Sequence, residues 1–346
     1  MNHERNEKEP ATKTFCTDFL IRKGQSREGV GEWLSNSAIP WRRRRRLIQV
    51  LAGTFPCGQT LKKWKLRQSG KCELCRKIRQ QSAGGEVAED SLPEETLGHI
   101  NSAGCLGQSD AVTAAHNNCI KALMLDIARW GKEGRGMEFI TLDKERTLRT
   151  LWESKNCEQI CTQQELWEAA REAEKCIPFQ GRKDDEEVSE SAYEERFWRR
   201  RLDSMVLDTK NKVAYLIEFK RTMDTPKEYR ERTEERAREQ YQSLLHGLHG
   251  ATRKRRGGDG WKAQQVIFVG GVGGSLHEET FNKNLEALGV VKSQWGAIRK
   301  KHARKLLDET DRVLRAYYAG RHGDGKDHGR REQRGAVQHL GHDIYG

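Results

Sequence analysis

Apolar residues are scarce in this chain. They make up 35% of its 346 residues, and the mean hydropathy is -0.90. No hydrophobic run approaches the roughly 18 residues of a membrane-spanning helix, so no membrane partner is expected. The opening MNHERNEKEP is charged and has no signal-peptide core, so secretion is not expected either. G-x-x-x-x-G-K-[ST] is missing, and with it the expectation of a nucleoside-triphosphate site; no small-molecule substrate is expected. Without a secretory route, the nine cysteines read as free thiols or metal ligands rather than disulfides, and their odd number fits that. The core must be modest, with much solvated helix and loop. The length allows two domains or one large one. What the chain does have is positive charge: the net value is +12 and the pI about 9.3. That points to a polyanionic partner such as nucleic acid, or simply to a basic surface.

The stretch Asp203 to Lys220 carries the sharpest chemical pattern. Val213 to Lys220 (VAYLIEFK) is rich in β-formers and reads as a strand, with Leu202 to Asp208 as its partner. Side chains alternate faces along a strand, so Glu218 and Lys220 share one face while Ile217 and Phe219 fill the other. If 209–212 form the loop, Asp208 opposes Val213 and Asp203 opposes Glu218. Cross-strand Cβ atoms lie roughly 4.5–5.5 Å apart, and two carboxylates held that close repel unless a positive charge lies between them. A hard divalent cation such as Mg²⁺ would supply it. Ordinary solvated charges on a surface ladder would read the same way.

A second cluster is Cys72-Glu73-Leu74-Cys75, with His99 after 23 residues and Cys105 five residues later. A C-x2-C turn brings two thiolates to one zinc ion, and a second pair at a helix start completes the tetrahedron. Glu95 to Ile100 reads as that helix. The polar, acidic segment 81–93 reads as an exposed excursion. His116 or Cys119, in the helix that runs to Trp130, could replace Cys105 as the fourth ligand. Free thiols in a small helical core are the alternative. Structural zinc would contribute folding energy to so short a segment.

Elsewhere, Trp41-Arg42-Arg43-Arg44-Arg45-Arg46 is a basic block that fits phosphate contact, a nuclear import signal or a solvated helix face. Leu61 to Arg67 reads as a further short basic helix. A strand is expected at Met137 to Leu142, a helix at Gln163 to Cys176, a hinge at Gly181 to Glu190, and one long charged helix at Thr225 to His249. On that helix Arg232, Arg236 and Gln240 form a stripe that could meet DNA phosphates or pair with neighbouring glutamates. Arg255 and Arg256 lie in a basic loop. Val266 to Val269 reads as a buried strand, and Gly270 to Ser275 as a tight turn rather than a phosphate cradle. Helices follow at 278–288 and 293–318.

The order helix, strand, turn, strand, long helix, strand, helix, with Asp203 followed by Glu218-x-Lys220, resembles the PD-(D/E)XK restriction-like nuclease fold over roughly residues 190–318. Leu202 stands where the motif name has Pro. Taken with Cys72, Cys75, His99, Cys105 and His116-Asn117, and with the phrases FPCGQTLKKW, ETLGHI and EFKRTMD, the chain resembles the C-terminal region of non-LTR retrotransposon, reverse-transcriptase-like proteins. No polymerase signature of the Y-x-D-D kind is present.

The resemblance implies an α+β or α/β fold, with a small helical zinc-knuckle domain followed by a restriction-endonuclease-like α/β core and long flanking helices. It divides the chain into an N-terminal segment 1–40, partly disordered; a basic helical region with the CCHC knuckle, 41–131; a connecting region, 132–189; a nuclease-like domain, 190–318; and a disordered Gly/His/Arg tail, 319–346. The implied activity is metal-dependent nicking of DNA. Catalytic residues would be Asp203, Glu218 and Lys220. Mg²⁺ or Mn²⁺ would be held by Asp203 and Glu218, with the Phe219 carbonyl and Glu194 or Glu195 as further ligands. Structural zinc would be held by Cys72, Cys75, His99 and Cys105. Arg43, Arg44, Arg45, Arg232, Arg236, Gln240, Arg255 and Arg256 would contact nucleic acid. Expected partners are DNA, RNA as a second candidate, and an upstream reverse-transcriptase module; the expected location is nuclear or intracellular. The rival expectation is a non-catalytic nucleic-acid-binding protein on a degenerate nuclease fold.

Overall fold

The computed structural model describes residues 25–26, 28–131, 136–141, 147–153, 155–177, 188–224, 227–253 and 260–322. In chain order the helices are α1 (Glu28–Ser35), α2 (Trp41–Leu51), α3 (Gly58–Lys63), α4 (Glu73–Ala83), α5 (Leu97–Ile100), α6 (Ser109–Trp130), α7 (Leu148–Glu153), α8 (Lys155–Glu158), α9 (Gln163–Lys175), α10 (Glu190–Trp198), α11 (Lys227–Gln240), α12 (Gln242–Arg253), α13 (Glu278–Ala287) and α14 (Trp295–His322). The strands are β1 (Gln25–Ser26), β2 (Met137–Thr141), β3 (Ser204–Asp208), β4 (Val213–Thr222), β5 (Lys262–Gly271) and β6 (Leu276–His277). The fold is mixed α/β and rich in helix.

One mixed sheet runs in the order β1-β6-β5-β4-β3-β2. The β3–β4 hairpin is antiparallel, and Asp208 opposes Val213 while Ser204 opposes Ile217. That is the register expected from a four-residue loop. Lys212, in this loop, takes a positive φ of 51°. β5 lies parallel to β4, with Glu218 beside Ile267 and Lys220 beside Val269.

Period-two alternation divides the two central strands between two cores. Met205, Leu207, Ala214 and Leu216 pack with Tyr241, Leu244 and helices α7 to α10. Val206, Tyr215, Ile217 and Phe219 pack on the opposite face against α6, α13 and the first half of α14. A third core gathers α1, α2, the cysteine segment and the second half of α14. Leu306, Leu307, Val313, Leu314 and Tyr317 are buried along α14, so this one helix spans two cores.

The elements do not sort along the segment boundaries drawn from sequence. β2, from the connecting region, pairs with β3. β1 pairs with β6, and α1 packs in the same core as α14. The expected helix over 225–249 is two helices, broken at Tyr241. The Tyr241 side chain is fully buried, and its hydroxyl donates to the Arg201 carbonyl at 2.6 Å, a tertiary anchor that helical periodicity does not reveal. The Gly181–Glu190 hinge lies outside the described residues from 181 to 187, as do Arg255, Arg256, most of 1–27 and the tail beyond 322.

Candidate metal centre and carboxylate site

The cysteine cluster is assembled by a closed loop. Lys71 and Glu94 form an antiparallel bridge. Cys72 N donates to the Pro93 carbonyl at 2.9 Å, and Glu95 N donates to the Gly70 carbonyl at 2.7 Å. The excursion between them therefore begins and ends at one point. Cys72 then caps α4, which carries Cys75. Thr96 caps α5 by accepting from the His99 amide at 2.9 Å, which fixes the turn that carries His99. The Ser102 and Cys105 amides donate back to the His99 and Ser102 carbonyls at 3.1 and 3.2 Å, and these turns return Cys105 to the cluster.

The ligand atoms of Cys72, Cys75, His99 and Cys105 all lie within 4.8 Å of one another. Cys72 Sγ is 3.9 Å from Cys105 Sγ, and Cys75 Sγ is 3.4 Å from His99 Nε2. The three cysteines are buried. Hydrogen bonding from Cys105 holds the Cys72 thiol well below its usual range, while burial raises that of Cys75. Three sulfurs and an imidazole at this spacing could hold a metal such as zinc. It is the only such group of three or more His, Cys, Asp or Glu side chains among the described residues.

The open choice of fourth ligand resolves to Cys105. His116 instead meets Asp203, with Nε2 2.8 Å from Oδ1, and its ring packs on Phe219 at 5.4 Å. Cys119 is buried in the sheet core, where burial pushes its thiol up to about 12. Cys157 and Cys161, expected as buried thiols, are buried among apolar neighbours.

One carboxylate ties this module to the rest of the fold. Glu95 is fully buried. Its Oε1 accepts from Gly58 N at 2.7 Å, Arg67 Nη1 at 3.2 Å and the Tyr317 hydroxyl at 2.8 Å. From sequence Glu95 stands only as the start of the helix carrying His99, which instead begins at Leu97. Its one signal was an acid just ahead of the ligand histidine.

On the hairpin, one strand step beyond Ser204–Ile217 sets Asp203 against Glu218. Asp203 Oδ2 accepts from the Phe219 amide at 2.7 Å, so at Phe219 the group engaged with Asp203 is the N–H. Glu218 is only 3% exposed. Its Oε1 is ion-paired with Lys220 Nζ, while its Oε2 is buried with no hydrogen-bond partner among the described residues; the nearby Tyr241 hydroxyl, which interacts with Glu218 electrostatically, gives its proton to the Arg201 carbonyl. Burial, with repulsion from Asp203 next, pushes the Glu218 carboxyl up to about 7. Lys220 Nζ also donates to Gln240 Oε1 at 3.3 Å. Asp203, Glu218 and Lys220 are thus brought together, with His116 as a fourth member that the strand pattern could not supply. Glu194 and Glu195 line a different cavity with Thr147, Arg149 and Trp198. Glu195 is there paired with Arg199 at 2.6 Å.

A cleft of about 660 Å³ joins the two sites. Thr96, His99 and Asn101 line it from the cysteine module, and His116, Lys220 and Arg221 from the hairpin side.

The basic residues divide. Arg43 is turned inward: Nε meets the buried Asp311 at 2.7 Å, and Nη2 meets Asp308 at 3.0 Å. Arg46 reaches Asp311 at 2.6 Å. The block therefore clamps α2 to α14, with Arg42 and Arg45 left exposed. Arg44 lies over the Trp41 ring at 5.8 Å. Arg232 and Arg236 are exposed on α11, while Gln240 is engaged with Lys220 and Tyr241.

Gly270 to Ser275 is a turn, as expected, and its amides are already used. Gly273 N and Ser275 N donate to the buried Asp224 carboxylate at 2.6 and 3.2 Å. A Cβ on Gly271 would meet Asp224 Oδ1 at 1.9 Å, so this position excludes any side chain. No helix of the described residues is long and apolar enough to cross a membrane.

A scan of family models, a search of curated proteins and a search of solved structures each found nothing that matches this chain.

Proposed function

We propose that this chain is a metal-dependent endonuclease that nicks DNA by phosphodiester hydrolysis, organised like the C-terminal part of a non-LTR retrotransposon protein. The observation that carries the reading is the meeting of Asp203, Glu218 and Lys220, with Glu218 Oε2 left buried and unpartnered. A buried carboxylate oxygen without a donor is costly, and a hard cation would satisfy it. Asp203 and Glu218 would hold Mg²⁺ or Mn²⁺. When bound, the ion supplies Lewis-acid polarisation of the phosphate and a lowered pKa for a coordinated water. Lys220 would turn its ammonium from Glu218 to the attacking water or to the charge growing on phosphorus. His116 and the Phe219 amide hold the Asp203 carboxylate in one orientation.

The Cys₃His module would take structural zinc and keep His99 and Asn101 on the far wall of the cleft. Exposed Arg42, Arg45, Arg232 and Arg236 would track the DNA backbone, giving weak sequence preference and steep salt dependence. A nuclear location and an upstream polymerase partner follow from this reading.

A second reading has its own support. Both carboxylates already have partners inside the protein, Asp203 in His116 and Glu218 in Lys220. In that case the chain binds nucleic acid without cutting it. Plasmid nicking with Mg²⁺ separates the two. Wild type should convert supercoiled DNA to the open circle, and Asp203→Ala, Glu218→Ala and Lys220→Ala should each lose about 100-fold or more in rate while still retarding DNA. Nicking that survives in all three variants rejects the site, and a wild type that binds without nicking selects the second reading.

A further inference from the structure

The segment Lys62–Leu66, reading KKWKL, was expected only as part of a short basic helix. Its conformation gives it a different character. α3 stops at Lys63, and Lys65 turns the chain with a left-handed φ of 59°. The turn is closed by Trp64 N to Thr60 O at 3.0 Å, Lys65 N to Lys62 O at 2.9 Å and Leu66 N to Leu61 O at 2.9 Å. Residues 62 to 66 are all exposed, with Trp64 at 45% and Leu66 at 73%.

Two large apolar side chains thus stand in water between three lysines. Among the described residues no carboxylate lies within ion-pair distance of Lys62, Lys63 or Lys65, and no ring or cation covers Trp64. The exposed Trp41 differs, since the Arg44 guanidinium lies over it at 5.8 Å. The base of the turn is firmly held. Arg67 donates from Nη2 to Glu73 Oε1 at 2.6 Å and to the Lys71 carbonyl at 3.0 Å, and from Nη1 to the buried Glu95 at 3.2 Å. Lys71 and Glu73 flank Cys72, and Glu95 directly precedes Thr96, the cap of the turn that carries His99.

We propose that Lys62–Leu66 is a base-stacking tip for nucleic acid with unpaired bases. The indole presents a flat face to one base, Leu66 fills the gap beside it, and the lysines neutralise flanking phosphates. A rigid anchor below an exposed aromatic keeps the entropic cost of stacking low. The net charge of +12 matches a polyanion, whereas two apolar side chains bury too little hydrocarbon to hold the protein on a lipid surface. The inference rests on the nucleic-acid part of the proposed function and not on nicking.

The test uses the full chain with three probes: a labelled single-stranded oligonucleotide, the same sequence as a perfect duplex, and vesicles of phosphatidylcholine with phosphatidylserine. Trp64→Ala should weaken single-strand binding about tenfold, as loss of one stacked base does, and duplex binding less than about twofold. Trp64→Phe should restore most of the affinity. Joint change of Lys62, Lys63 and Lys65 to Gln should flatten the salt dependence on single strands by a slope of about 2. Unchanged zinc content and melting temperature in each variant show that the fold is kept. The tip is rejected if Trp64→Ala leaves single-strand affinity intact, weakens strand and duplex equally, or chiefly reduces vesicle binding. Glu218→Gln measured in parallel should keep single-strand affinity and lose nicking, so failure of the tip and failure of the nuclease site are read separately.

Discussion

The thiol cluster and the carboxylate hairpin both gather ligand-type residues from distant positions, and they differ in what fills them. The ligand atoms of Cys72, Cys75, His99 and Cys105 face one another, all within 4.8 Å. Asp203 and Glu218 also meet, but His116 and Lys220 stand against them. Three sulfurs and an imidazole in a buried pocket form a donor set that could hold a soft or borderline cation such as zinc. Hard carboxylates find partners among the protein's own side chains. Glu218 nonetheless keeps one buried oxygen without a hydrogen-bond partner among the described residues. Under the proposed function the first site is structural and the second catalytic.

That contrast can be broken or sharpened, beginning with the largest effect. Cys105→Ser should abolish zinc binding and destabilise the protein by about 4 kcal/mol or more, the range that marks loss of a structural metal. Metal analysis and denaturant melts check this, and a stable zinc-free variant would make the thiols ordinary core residues. Next is Glu95→Ala, which takes away the acceptor shared by Gly58 N, Arg67 Nη1 and the Tyr317 hydroxyl. Its expected cost is about 3–5 kcal/mol even with metal present, since the carboxylate holds the module to α14. A small loss would show that zinc alone supports the module.

The third prediction concerns pH. The Glu218 carboxyl rises in the folded protein from 4.5 to about 7. Its stability contribution is therefore complete below about pH 4.5 and is lost as pH rises through about 7. Glu218→Gln, which mimics the protonated acid, should flatten the metal-free stability profile across that window. Wild-type nicking should fall as pH drops below about 7, because the cation needs the carboxylate. A profile identical in wild type and Glu218→Gln would sink this account. The smallest effect is expected from His116→Ala and Cys119→Ala, both of which should leave zinc stoichiometry unchanged. Loss of zinc in His116→Ala would reassign the fourth ligand and dissolve the distinction between the sites.

Much of the carboxylate site was legible because its determinants are local. Period-two alternation and a four-residue loop suffice to oppose Asp203 and Glu218 and to keep Lys220 on the same face. The thiol cluster was half legible. C-x2-C is a local signal, but which His and Cys complete it depends on how the excursion over 81–93 closes, and the Lys71–Glu94 bridge decides that. The basic block misled for a related reason. Arg43 and Arg46 look like phosphate ligands until Asp311, 268 and 265 residues away, takes them.

By itself, then, the sequence determined the hairpin register, the alternating faces of β3 and β4, the pairing of Cys72 with Cys75, and the absence of an apolar run long enough to span a membrane. Each follows from steric or hydrophobic rules that act within a few residues. The tertiary structure decided the rest. It chose Cys105 over His116, set His116 on Asp203, filled the glycine turn with Asp224, broke the long helix at Tyr241 and turned Trp64 outward. Those outcomes depend on which distant groups share a buried volume, and spacing along the chain carries no record of that.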